Sequence, residues 1–276
     1  MQPGNPPITS LTERELDVIE IFKIAFSSLR SSWKISILPV FVVSAGYAAF
    51  SYFQSVKILE TISTNPAEQV EQIGQMMGQM LAGSMAVGIV FFSLLICLGI
   101  VPSLVAAARN VDPEAARKPV SGAIQYLLGC LIAALPMMIG TILCIFPGLF
   151  LAVALFMFPA VIFVEETSFG RAFGISYRTF AMRKGKVFAL LLLYIIGAFA
   201  ISILLAIPGQ MYYYGGLAEM VRTENPSMLP ELMKTYMLLA QVPQVLSIPL
   251  TLPFSAHLGV IAYANFRHFV PAGPEF

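Results

Sequence analysis

The feature that most constrains this chain is an unbroken stretch of 46 residues, Pro119 to Val164, without a single charged side chain. Three further uncharged runs, Gln72 to Ala108 (37 residues), Val187 to Ala218 (32) and Thr235 to Phe266 (32), exceed 30 residues, and Ile35 to Val56 (22) follows. A helix crosses a bilayer core with about 20 apolar residues, so each run is long enough to do so. Composition agrees: 58% of the residues are hydrophobic and 11% charged, against about 25% charged in soluble domains. A soluble domain is excluded, and no segment between the runs reaches the roughly 40 residues needed to fold alone.

The 46-residue run is too long for one crossing, and Pro147-Gly148 inside it reads as the turn of a tight helical hairpin. Six transmembrane helices result, at about 35–56, 81–108, 122–145, 148–164, 187–207 and 236–263. The expected fold is an all-α polytopic membrane protein: an amphipathic N-terminal helix over 1–34, a six-helix bundle over 35–266 and a short tail over 267–276. Basic residues collect on the cytoplasmic side of spans. With six spans and both termini cytoplasmic, 13 of the 16 Lys and Arg residues fall inside, and only Lys57, Arg222 and Lys234 fall outside. A single crossing of the long run reduces that split to 9 against 7. The six-span arrangement is therefore the expectation. Four acids in the first 34 residues, with no apolar core beside Met1, argue against a cleaved signal peptide.

Two segments have the pattern of helices lying along the membrane. From Thr12 to Trp33, Leu16, Ile19, Phe22, Phe26, Leu29 and Trp33 recur every three or four residues, with Thr12 and Glu15 as a capping box. This helix is expected to lie on the inner leaflet or to pack beneath the bundle. Between Glu165 and Lys186, Phe169, Phe173, Tyr177 and Phe180 share a face beside Arg171, Arg178, Arg183, Lys184 and Lys186. Those five cations enforce topology, and they are the candidate contacts for lipid headgroups. On the opposite side Asn65-Pro66-Ala67-Glu68 has the signature of a helix start, followed by a Gly74/Gly78 pair in a Gln-rich setting that weakens any dimerisation signal.

Chemistry is sparsely represented. The chain contains no HExxH, Walker, GxSxG or paired-Cys signature. Cys97, Cys130 and Cys144 all fall within expected spans and have no metal-type spacing. His257 and His268 have no neighbouring acid in the sequence. In the sixth span Pro243, Pro249 and Pro253 free backbone carbonyls, while Gln244, Ser247, Thr251, Ser255 and His257 supply polar groups along it. The seam either repairs the kinks and binds the helix to its neighbours, or lines a wet groove. No catalytic residue, cofactor or metal is expected. A net charge of +1 offers nothing to nucleic acid. Membrane lipids are the expected partners, with other membrane-protein subunits or further copies of the chain as protein partners to consider.

Pro147-Gly148-Leu149, Leu151-Ala152, Pro159-Ala160-Val161, Gly170-Arg171-Ala172 and Ser176-Tyr177-Arg178 form a string that resembles the YciC-type inner-membrane proteins. It is similar also to the membrane domain of some glycerophosphoryl diester phosphodiesterases. The resemblance covers most of the chain and implies a six-helix protein of the bacterial inner membrane, although Arg183-Lys184-Gly185-Lys186 is more basic than the family pattern. No phosphodiesterase catalytic domain accompanies it. The resulting expectation is a non-enzymatic membrane protein that organises the envelope or serves a larger complex. The alternative is a transporter, channel or lipid-moving protein using the sixth-span seam.

Overall fold

The computed structural model describes residues 10–64, 87–143 and 145–269. All regular secondary structure among the described residues is helical, with no strand among them. In chain order the helices are α1 (Ser10–Glu13), α2 (Val18–Ser31), α3 (Trp33–Thr64), α4 (Val87–Val111), α5 (Pro119–Leu143), α6 (Ile145–Ala154), α7 (Phe158–Glu165), α8 (Phe169–Thr223), α9 (Leu229–Leu239) and α10 (Val242–Phe266). Four stretches are long and apolar enough to cross a membrane: Trp33–Lys57, Val87–Val111, Phe169–Thr223 and Leu229–Phe269. Pro119–Ala134 and Phe150–Glu165 are shorter apolar helices where the third and fourth spans are expected. Long helices that expose Ile196, Phe199 and Leu204 have the character of a chain embedded in a membrane, because hydrocarbon accepts such surfaces and water does not.

Several expected boundaries move. The N-terminal helix begins at Val18 and not at Thr12, since the chain is non-helical from Arg14 to Asp17. The backbone N–H of Asp17 donates to the Glu20 carboxylate at 3.1 Å, so Asp17 and Glu20 take the positions expected of Thr12 and Glu15. Pro147 and Gly148 do not form a turn: they lie in the first turn of α6, where proline's missing donor costs nothing. Helix α5 is described to Leu143 and α6 from Ile145; Cys144, Asn65 to Glu68, Gly74 and Gly78 lie outside the described residues. The expected fourth span is interrupted at 155–157. Pro159 cannot donate to the Leu155 carbonyl, which accepts the Phe158 N–H at 3.0 Å instead. Ser176 Oγ donates to the Ala154 carbonyl at 2.8 Å. The sixth span is likewise broken at 240–241, two residues before Pro243. Within α4 a π-helical segment, Leu95–Ile100, precedes Pro102, and Ser103 Oγ donates to the Gly99 carbonyl at 2.8 Å. α8 kinks at Arg183 (φ −124°, ψ 28°) and continues to Thr223, well past the expected end at 207.

The described parts of the chain fall into two compact units. The first comprises Met1–Leu38, Ile96–Gly197 and Thr251–Phe276. Its core draws Ile21 and Ala25 from α2, Leu104 and Ala107 from α4, Met157, Val161 and Phe163 around α7, and Leu258 and Phe266 from α10. Two glycines of α5 seat α7 on it. A Cβ at Gly122 would stand 2.8 Å from the Phe163 ring, and one at Gly129 would stand 2.1 Å from Phe158. The Phe158 ring stacks on Phe173 at 4.3 Å, which carries the packing on to α8.

The second unit comprises Pro39–Leu95 and Ala198–Leu250. Tyr47 of α3 stacks on Phe91 of α4 with centroids 4.0 Å apart. The end of α8 and α9 form a close helical pair: a Cβ at Gly216 would stand 2.2 Å from the Leu232 side chain, and one at Gly209 would stand 3.3 Å from Leu239 Cβ. Tyr213 and Tyr236 meet across the pair at 4.6 Å.

Candidate functional site

The densest polar constellation in the described residues lies inside the first unit. Ser28, Ser32 and Ser36 recur every fourth residue along α2 and the start of α3, which places their hydroxyls on one face. The break between these helices is local. The Ser32 N–H donates to the Leu29 carbonyl at 3.2 Å and leaves that of Ser28. Ser31 Oγ (2.7 Å) and Ser32 Oγ (3.0 Å) fill the vacated carbonyl of Ser28. Against this face α10 places His257, which is completely buried. Its Nδ1 lies 2.8 Å from Ser28 Oγ, and its Nε2 lies 3.2 Å from Ser36 Oγ and 3.3 Å from Ser32 Oγ. From α4, Asn110 Nδ2 donates to Ser28 Oγ at 2.9 Å and to Ser31 Oγ at 3.2 Å. With Asn110 donating to Ser28, one assignment that serves every group has the Ser28 hydroxyl donating to Nδ1 and Nε2–H donating to Ser36. A neutral imidazole is then satisfied at both nitrogens.

A second set of bonds holds the segment before α2. The buried Asn265 side chain accepts the Leu16 N–H at 2.9 Å and donates to the carbonyls of Leu11 at 2.9 Å and Arg14 at 3.0 Å. These bonds replace the helical ones that residues 14–17 do not make. Glu15 pairs with Arg183 at 3.0 Å and with Lys186 at 3.1 Å. Lys186 Nζ also donates to the Leu16 carbonyl at 3.1 Å, and Arg183 donates to that of Phe269 at 3.0 Å. At the far end of α10, Glu165 accepts the Tyr263 hydroxyl at 2.9 Å and pairs with Arg267 at 3.0 Å.

The five cations considered as headgroup contacts therefore divide. Arg171 and Lys184 are exposed, Arg178 is half-buried, and Arg183 and Lys186 turn their charge toward the protein's own N-terminal segment. The sixth-span polar residues divide as well. Gln244 is exposed and Ser247 buried in the second unit. In the first unit the Thr251 carbonyl accepts the Tyr194 hydroxyl at 3.4 Å, and Ser255 donates to the Leu252 carbonyl of its own helix at 2.7 Å. Only His257 of that set enters the serine cluster.

Among the described residues no three His, Cys, Asp or Glu side chains gather as metal ligands. No family model, curated protein or solved structure matches the chain. What can be read of its role therefore comes from its own chemistry. Ser28 and His257 stand at the separation of a nucleophile and its base, but both are buried and both ring nitrogens already face hydroxyls. The arrangement positions α2 against α4 and α10. Substituting His257 with Leu should cost roughly 1–3 kcal/mol by stranding the Ser28 and Ser36 hydroxyls, and Gln at that position should recover part of the loss. Thermal unfolding of the three proteins in one detergent checks this order. A separate cleft of about 500 Å³ lies within the second unit, lined by Met211, Tyr212, Gly216, Glu219, Glu231 and Leu232 among others.

Sequence reasoning reached His257 but missed its partners. The four-residue serine spacing was a readable signal. Asn265, Glu15 and Asn110 offered none, since each acts on groups remote in the chain.

Proposed function

We propose that this chain is a non-enzymatic integral protein of the bacterial inner membrane. In this reading it crosses six times with both termini in the cytoplasm, and it organises the envelope or serves as a subunit of a larger membrane complex in contact with lipid. The observation that carries the reading is the pairing of apolar helices with a one-sided set of cations, 13 of 16 on the side assigned to the cytoplasm. The likeness to YciC-type proteins supports the same assignment. The buried His257 network supports a structural use of the chain's best candidate catalytic group, because hydroxyls occupy both ring nitrogens. In this reading α5 makes the third crossing, and α6 and α7 together make the fourth.

One observation favours a transporter, channel or lipid-moving protein as a second reading. The apolar segments are interrupted at 155–157 and again at 240–241, and discontinuous helices line solute pathways in carriers. Reconstitution separates the two. The first reading expects no protein-dependent solute flux or lipid scrambling in sealed vesicles, together with a partner that copurifies from native nanodiscs. Flux or scrambling that requires the protein would replace it with the second.

A further inference from the structure

The side of α2 that faces away from the buried cluster carries an arrangement of its own. Ile21, Ala25 and Ser28 point inward and are buried, whereas Ile19 is 64% exposed, Phe26 63% and Trp33 49%. At 3.6 residues per turn, positions seven apart nearly superpose, so Ile19 and Phe26 form one line. Lys23 and Arg30, also seven apart and exposed, form a second line four residues on and next to it. The first turn of α3 repeats the adjacency, with Lys34 Nζ 5.9 Å from the centre of the Trp33 ring. The only acid within α2, Glu20, is bound by Arg14 at 2.5 Å, so this face presents cations beside apolar side chains. It also leads, after the single residue Ser32, into a helix long and apolar enough to cross a membrane.

We propose that this face of α2 and the first turn of α3 bind the anionic surface of a lipid bilayer. Ile19, Phe26 and Trp33 enter the acyl boundary, and Lys23, Arg30 and Lys34 engage the phosphates. The inference rests on the membrane reading above and names the lipid class that the protein contacts. The pattern fits that partner for two reasons. An interfacial helix needs apolar depth on one line and cations on the adjacent one. A cation beside an anionic leaflet gains about 1 kcal/mol, or about fivefold in affinity. A protein partner would not need that alternation, and a zwitterionic surface would not reward the charge.

Trp33 makes the proposal directly testable, because it is the one tryptophan in the chain. The full-length protein is placed in nanodiscs of phosphatidylcholine containing a minor fraction of lipid brominated near the glycerol end of its acyl chains. The brominated lipid is either phosphatidylglycerol or phosphatidylcholine. The expected result is several-fold stronger quenching by the brominated phosphatidylglycerol at equal mole fraction. In a variant carrying K23Q, R30Q and K34Q the two lipids should quench alike, while quenching in a fully brominated bilayer stays as in the parent. All three side chains are exposed, so the variant is expected to fold. Equal quenching by both lipids in the parent protein would overturn the anionic preference. Emission untouched by any brominated lipid, in protein that has inserted, would assign this face to water or to a protein partner. Failure to enter the nanodisc at all would refute the membrane reading as well as this inference.

Discussion

Replacing Asn265 with Leu should lower the thermal unfolding midpoint sharply and open the chain to trypsin at Arg14, without preventing insertion into the membrane. The amide makes three bonds to a stretch that has no helical bonding of its own, and Leu11 and Leu16 are 3% and 2% exposed. Leucine supplies neither donor nor acceptor, so the Leu16 N–H and the Leu11 carbonyl are left buried and unpaired, at about 1–3 kcal/mol each. The Arg14 carbonyl loses its bond too, although water reaches that exposed residue. The sum, on the order of 3 kcal/mol or more, lies in the upper tail for single substitutions. Limited proteolysis shows where the loss falls. If the Arg14 cut appears at the parent rate and the midpoint stays put, Asn265 does not hold this segment.

Introducing Val at Gly129 should be about as damaging, for a steric reason. A Cβ there would lie 2.1 Å from the tip of the Phe158 ring, whereas carbon atoms settle about 3.5–4.0 Å apart. The ring has little freedom to withdraw, since it stacks on Phe173 and lies 6.2 Å from Tyr126. Overpacking of this kind costs roughly 1–3 kcal/mol and occasionally more. The upper end is expected, with a lower yield of folded protein. Shortening the ring should relieve the clash: a Gly129→Ala, Phe158→Leu double variant is expected to be more stable than the sum of its single changes predicts. Strict additivity would show that α5 and α7 do not meet through this pair.

These two sites also mark what could and could not be read in advance. The apolar runs announced long helices because hydrocarbon imposes both a length and a composition on whatever crosses it. The rough positions of α3 and α4 followed from that alone, whereas α8 runs from Phe169 to Thr223 across both the expected membrane-surface helix and the expected fifth span. Helix ends were harder. Pro159 accompanies a break, while Pro249 and Pro253 lie inside a continuous α10. The difference depends on which neighbours accept the freed carbonyl, which one strand of letters does not state. The N-terminal helix looked continuous from Thr12 because its periodicity runs through Glu15 and Leu16. Asn265, roughly 250 residues away in sequence, instead holds that stretch out of the helix. Of the candidate site, the isolation of His257 from any acid nearby in sequence was legible, whereas the four-residue serine spacing is present in the letters but does not by itself name the histidine as its partner. The pairing of His257 with hydroxyls from α2 and α3 is a product of tertiary packing.

The distance in sequence between the two halves of that network has a consequence for biosynthesis. Ser28 and His257 are separated by 229 residues, and chains grow at about 5–20 residues per second. The amino-terminal segment therefore waits roughly 10 to 45 s after its own translation before its imidazole partner exists. During that interval its serine hydroxyls and the backbone around Leu16 must be tended by solvent, headgroups or an insertion factor. Final closure of the first unit is thus a late event, and a ribosome stalled before α10 should leave α2 open to modification by water-soluble reagents.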